Sequence, residues 1–194
     1  MNAKILRSLA ISQDSCPPNP RTDYEPMCKI AAFKRGYGDE VLSDEEIYDI
    51  RHDDDYFSRR VYIMDRSGVS LSLTPYNDRW DSGQLGIIYI SKVHARKEFE
   101  GETEEALVEK IENAMTGEIA LYNMYLSGSC YYGVLTERKE IEFEGEKYFT
   151  KSRTEDSIGG IYAEYSDILP EFLSTLGLIE EDFDSITVLD IKIK

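Results

Sequence analysis

Apolar residues recur through 4–12 (KILRSLAIS) and 27–35 (MCKIAAFKR), and both segments read as short strands. The stretch between them, DSCPPNPRTDYEP, carries four prolines and reads as a loop, because a proline cannot donate to a sheet ladder. Ser43 followed by Glu46 makes a capping-box signature. It opens a short helix running to about Asp54, with Ile47 and Ile50 on one side and carboxylates on the other. Next, RRVYIMD and VSLSLTP flank a turn at Arg66, Ser67 and Gly68, and QLGIIYISK (84–92) reads as a central strand.

The helical period returns over 103–126, where Leu107, Val108, Ile111, Met115, Ile119, Tyr122 and Tyr125 or Leu126 recur near every 3.6 residues. This helix is expected to cover the sheet. Gly117 within it costs about 1 kcal/mol relative to alanine and marks a close crossing or a kink. Strand patterns follow at CYYGVLTE, EIEFEG and EKYFTK as a meander. A helix over 167–176 is expected to start at Ser166 and close at Gly177, and a last strand, SITVLDIKIK, alternates Leu189, Ile191 and Ile193 with polar residues. The expected fold class is α+β: a mostly antiparallel sheet covered by one long helix (about 103–126) and shorter acidic helices. A single domain over 1–194 is expected, with 150–194 as a candidate C-terminal subdomain.

With 41% apolar residues, 14 Tyr and 7 Phe, the 194-residue chain has too much core material for a disordered acidic tail. Its three cysteines, Cys16, Cys28 and Cys130, lie far apart with no CxxC pair, which suggests neither a disulfide framework nor a zinc knuckle. This cysteine usage fits a reduced cytosol, so the expected place is the cytoplasm, and no stretch approaches the roughly 20 apolar residues of a membrane helix.

Charge changes the picture more than composition does. There are 38 acidic and 22 basic residues, a formal net charge of −16, and the acids gather in blocks: nine in 39–55, eight in 98–118 and seven in 164–184. Carboxylates three or four apart on a helix stand about 5–6 Å apart at Cβ, a spacing that imitates the phosphates of a nucleic-acid strand. Such a face would be steered into basic clefts, and its binding would weaken with salt. Against this stands the plainer reading that acidic helices are simply solvated surface. The basic clusters Lys34-Arg35, Arg59-Arg60 and Lys92 to Lys97 limit any mimicry to one face.

Candidate chemistry is sparse. His52-Asp53-Asp54-Asp55 offers oxygen ligands, but adjacent side chains do not converge on one ion without a special loop, and no EF-hand spacing is present. His94 reads as a surface histidine, and Cys130 has no activating partner placed by sequence. No metal and no cofactor is expected. The segment WDSGQLG holds the lone Trp80 beside Asp81, with Asp78 and Gln84 nearby. It reads either as a stacking platform for a planar, nucleotide-like ligand or as a loop whose Trp closes the edge of the core. Tyr122, Tyr125, Tyr131 and Tyr132 line a pocket or partner surface in the first reading and the core in the second.

The blocks PR…D…MCKIAAFKRGYGDE (20–40), TPYNDRWDSGQLGIIYISK (74–92) and YNMYLSGSCYYGVL (122–135) resemble, in order and spacing, a family of small acidic proteins of phages and mobile elements with no assigned activity. The chain departs from the first block at Thr22-Asp23-Tyr24-Glu25-Pro26, and beyond about 150 the likeness is confined to DSIGGIYAE. The resemblance implies an accessory protein in the conflict between phage and bacterial host. Together with the charge it leads to an expected non-enzymatic anti-defence role: a stoichiometric inhibitor of a host nucleic-acid-binding effector, such as a CRISPR effector or restriction enzyme. Partner-binding residues would be Glu45, Glu46, Asp49, Asp53, Asp54, Glu104, Glu105, Glu109 and Glu112. The alternative is a small-ligand protein or enzyme using Asp78, Trp80, Asp81 and Gln84. A third reading is a virion or regulatory component whose acidity serves solubility alone.

Overall fold

The structure, a computed structural model, describes residues 3–189, 191 and 192. In chain order the elements are β1 (Ala3–Gln13), β2 (Lys29–Ala32), β3 (Glu40–Val41), α1 (Asp44–His52), β4 (Tyr56–Asp65), β5 (Val69–Ser72), β6 (Ser82–Ser91), α2 (Lys92–Glu98) and α3 (Glu104–Ser127). Then come β7 (Cys130–Phe143), β8 (Glu146–Phe149), β9 (Arg153–Tyr162), α4 (Ile168–Leu176), β10 (Ser185–Val188) and β11 (Ile191–Lys192). The class is α+β. In place of a single sheet there are two, and of their nine strand pairings β1·β10 and β2·β3 are parallel. Contacts divide the chain into two compact units, Met1–Pro17 with Gly128–Lys194, and Pro18–Ser127.

The Pro18–Ser127 unit is a five-stranded sheet in the order β3-β2-β6-β4-β5, which puts β6 at the centre as its apolar run predicts. Alternation along β2 and β6 divides their side chains between two faces. Ile30, Ala32, Ile88 and Ile90 meet Leu107, Ile111, Met115, Ile119 and Tyr122 of α3. Ala31, Ile87 and Tyr89 meet Ile47 and Ile50 of α1 on the other side. Val108, expected inward, is 42% exposed, since one stripe of a 24-residue helix suffices to cover the sheet. Gly117 marks no close crossing: a Cβ there would meet nothing within 4 Å.

The α1 capping box forms as predicted, with Glu46 N donating to Ser43 Oγ and Ser43 N donating to the Glu46 carboxylate. Helix α2 has no counterpart in the sequence reading, because only Ala95 of its seven residues is buried and no amphipathic period exists to see. Ser91 caps it by accepting from His94 N.

In the other unit, β7 is one strand of 14 residues, longer than the two predicted pieces, because β1 pairs with it without interruption from Ala3↔Ile141 to Gln13↔Tyr131. The charged Arg138 and Lys139 therefore do not break it, and the Arg138 guanidinium stacks 4.8 Å from the Phe149 ring. On its other edge β7 takes β9 and then β8, so the three strands are not a meander. Phe172 and Ile168 of α4 pack over Leu9, Ile11 and Ile186. Ser166 makes no cap for α4; Asp167 occupies that position after a 3₁₀ turn, while Gly177 closes the helix in the left-handed conformation at φ 64°. The last predicted strand is broken by a turn at Leu189 (φ 48°) into β10 and β11, and Ile193 lies outside the described residues. No described helix is long and apolar enough to cross a membrane.

Candidate functional site

Helix α1 turns Ile47 inward and leaves Glu45, Tyr48, Asp49 and His52 facing out. The Tyr48 and His52 rings stack at 3.9 Å, and His52 Nδ1 lies 2.7 Å from the Tyr48 carbonyl, so an aromatic pair sits among the carboxylates. Asp53 ends the helix and accepts from Asp55 N at 2.8 Å, with Asp54 exposed beside it. The Ser43 amide and hydroxyl hold the Glu46 carboxyl below its usual range, which ties Glu46 to the cap. Among the described residues, Glu45, Asp49, Asp53 and Asp54 have no ion-pair partner. All four side chains face solvent.

The α3 carboxylates are different. Glu104 pairs with Arg96 at 2.9 Å and Glu112 with Arg59, while Glu105 and Glu109 are exposed without a basic partner among the described residues. Because α1 and α3 lie on opposite faces of one sheet, the nine predicted partner-binding residues form two separated sets and no single surface. Among the described residues no cluster of three His, Cys, Asp or Glu side chains is arranged to hold a metal ion.

In the WDSGQLG segment Trp80 is 94% exposed, so it does not close the core edge. The loop turns back on Asp78, whose Oδ1 accepts from Trp80 N at 2.8 Å and Asp81 N at 3.1 Å; those amides hold its carboxyl below the usual range. Arg66 Nε lies 3.4 Å from Asp81. These bonds tighten the loop and push the indole into water. Trp80→Ala should therefore change unfolding free energy by no more than about 0.5 kcal/mol in urea titration; a larger loss would mean the indole is packed.

Gln84 sits apart from Asp78, Trp80 and Asp81, in a cavity of about 350 Å³ with Phe33, Lys34, Arg35 and Tyr37. Two of the blocks that carry the family resemblance thus meet at one concavity. Tyr122 and Tyr131 are buried, as the core reading expects, and Tyr132 is 40% exposed.

Sequence reasoning missed Arg21. It lies in the proline-rich loop, where an arginine reads as solvent-exposed, yet its side chain is only 4% exposed. Nε and Nη2 donate to the two Asp39 oxygens at 3.0 and 2.5 Å, Nη1 donates to Glu118 at 2.5 Å, and Nη2 also donates to the Cys28 carbonyl at 2.6 Å. The carboxylates in turn accept from Ile30 N (2.7 Å) and Cys28 N (2.9 Å). A signal was present in retrospect, an Arg and an Asp inside one motif block, but nothing in the spacing says they meet.

Cys28 and Cys130 are buried, and burial pushes both thiols up, Cys28 to about 12, whereas Cys16 is exposed. A thiolate is the reactive form. Native protein treated with a thiol-disulfide reagent near pH 8 should therefore titrate one fast cysteine, and the Cys16→Ser variant none; fast modification of a second site would contradict this burial.

No family model matches the chain, and neither a curated protein nor a solved structure matches it.

Proposed function

We propose that the chain is a stoichiometric inhibitor that seats the outer face of α1 and the following aspartates in a basic nucleic-acid-binding groove. Its target would be a bacterial defence effector of the CRISPR or restriction class, met by a phage or mobile-element protein. The observation that carries the reading is the uncompensated charge of α1: Glu45, Asp49, Asp53 and Asp54 face solvent without an ion-pair partner among the described residues. These carboxylates have no ion pair to give up on binding, while Glu104 and Glu112 would have to give up Arg96 and Arg59. Tyr48, 60% exposed and stacked on His52, supplies the kind of aromatic anchor enriched in interface hot spots.

A single groove wall contacts one face of the sheet, so the two acidic sets are separable by mutation. Reversing Glu45, Asp49 and Asp53 to Lys should weaken partner binding on the order of 100-fold, since like charges placed against each other cost several kcal/mol. Reversing Glu105 and Glu109 should change it by no more than about threefold. These side chains are exposed, and both variants should melt like the parent protein. Unchanged affinity in the α1 variant would sink the proposal.

A further inference from the structure

A cavity at the end of the β2·β6 pair carries two adjacent basic residues. Lys34, Arg35, Phe33, Tyr37 and Gln84 line it, with Ile63 and Leu85 contributing aliphatic surface. None of these is a carboxylate, in a chain where 38 of 194 residues are Asp or Glu. Neither Lys34 nor Arg35 has an ion-pair partner among the described residues, although unpaired acids are abundant elsewhere. The volume of about 350 Å³ falls within the usual range of small-ligand sites.

The walls are held in place before any ligand arrives. Phe33 N donates to Leu85 O at 3.0 Å at one end of the loop, and Asp39 N donates to Ile30 O at 2.8 Å at the other. Asp39 is itself fixed by Arg21. Between these anchors Gly36 takes φ 136°, a conformation side chains rarely adopt, so the loop carrying Lys34, Arg35 and Tyr37 is set by its own chemistry. Preorganisation of this kind lowers the entropic cost of binding.

We infer that this cavity binds a nucleoside phosphate. Lys34 and Arg35 supply charge-assisted donors for the phosphate. The half-buried Phe33 and Tyr37 rings give apolar surface for the planar base. Gln84 Nε2 makes a 3.3 Å bond to Gly86 O, and its Oε1 has no protein donor among the described residues, leaving an acceptor for an exocyclic amine. This site is independent of the acidic face of α1.

The test is calorimetric titration of the full chain with adenosine, guanosine, cytidine and uridine monophosphates, and with inorganic phosphate. At least one mononucleotide should bind at one site per chain, at least about tenfold tighter than phosphate. Lys34→Glu with Arg35→Glu should abolish the heat, and the milder pair Lys34→Gln with Arg35→Gln should weaken binding at least about tenfold, because both charge-assisted donors are lost. Gln84→Ala should change the order of preference among the four bases. The α1 reversal variant should bind the mononucleotide like the parent, which separates this result from the inhibitor reading. Absence of binding at millimolar concentration, equal affinity for phosphate alone, or unchanged binding in a folded Gln pair would each overturn the inference.

Discussion

Arg21→Ala should lose about 3 kcal/mol of stability, the cost of leaving two part-buried carboxylates without their cation, and lower Tm by about 10 °C. The side chains of Asp39 and Glu118 are 19% and 16% exposed, so water can replace little of what the guanidinium supplies. Both carboxylates also hold backbone amides, at Ile30 and Cys28, so their displacement disturbs β2 and the loop before it. Arg21→Lys keeps the charge but cannot reproduce the fork onto Asp39 together with bonds to Glu118 and the Cys28 carbonyl, and an intermediate loss is expected. Urea unfolding of the three proteins checks this. A loss below about 1 kcal/mol for Arg21→Ala would mean that the network is solvated and contributes no more than a surface pair does.

Gly86→Ala should cost about 3 kcal/mol, the upper end of what overpacking does in a core. A Cβ at Gly86 would stand 1.9 Å from Ala31 O and 2.9 Å from Ala32 Cα, and these are backbone atoms of the neighbouring strand with no rotamer to move. The only relief is to part β2 from β6 where Ala32 pairs with Gly86. On the opposite side Gly86 pairs with Val61, next to the register shift between Val61 and Tyr62, so the central strand is already irregular there. Ala substitution at Gly83, in the same segment and with open space around its Cβ, is the control and should be close to neutral. Equal losses at the two positions would contradict the close-approach argument. Gly86 of the WDSGQLG segment is thus a packing requirement of the sheet.

Local pattern was enough for the elements whose apolar positions repeat. Apolar runs bounded by turn signals found β1, β4 and β6, the helical period found α3, and Ser43 with Glu46 found the start of α1. What depends on pairing across long separations was not legible. The parallel pairing of Ser8 with Ser185 joins strands from the two ends of the described chain, and it takes β1 out of the sheet that β2 and β6 build. The uninterrupted β7 is likewise set by its partner β1, which overrides the local break suggested by Arg138 and Lys139. Helix α2 buries only Ala95 and so leaves no period to detect.

At the candidate site the sequence marks charged and aromatic residues, and the fold shows how they group. Charge counting marked the acidic blocks, yet only the fold places α1 and α3 on opposite faces and shows which carboxylates Arg59 and Arg96 already occupy. Trp80 and Gln84 stand four residues apart but in different surroundings, one in solvent and one lining a cavity with Lys34 and Arg35. That cavity depends on the turn between β2 and β3 returning to the start of β6, a contact no short-range pattern encodes.

In the proposed function the outer face of α1 would occupy a nucleic-acid groove. The most direct test is capture from a bacterial host with active defence systems, using the tagged full chain as bait at low salt, followed by elution with either concentrated salt or duplex DNA and RNA. A nucleic-acid-binding effector should be retained, salt and nucleic acid should each release it, and the Glu45, Asp49 and Asp53 reversal should retain none. A partner that stays bound through both elutions, or that binds the reversal variant equally well, would contradict it.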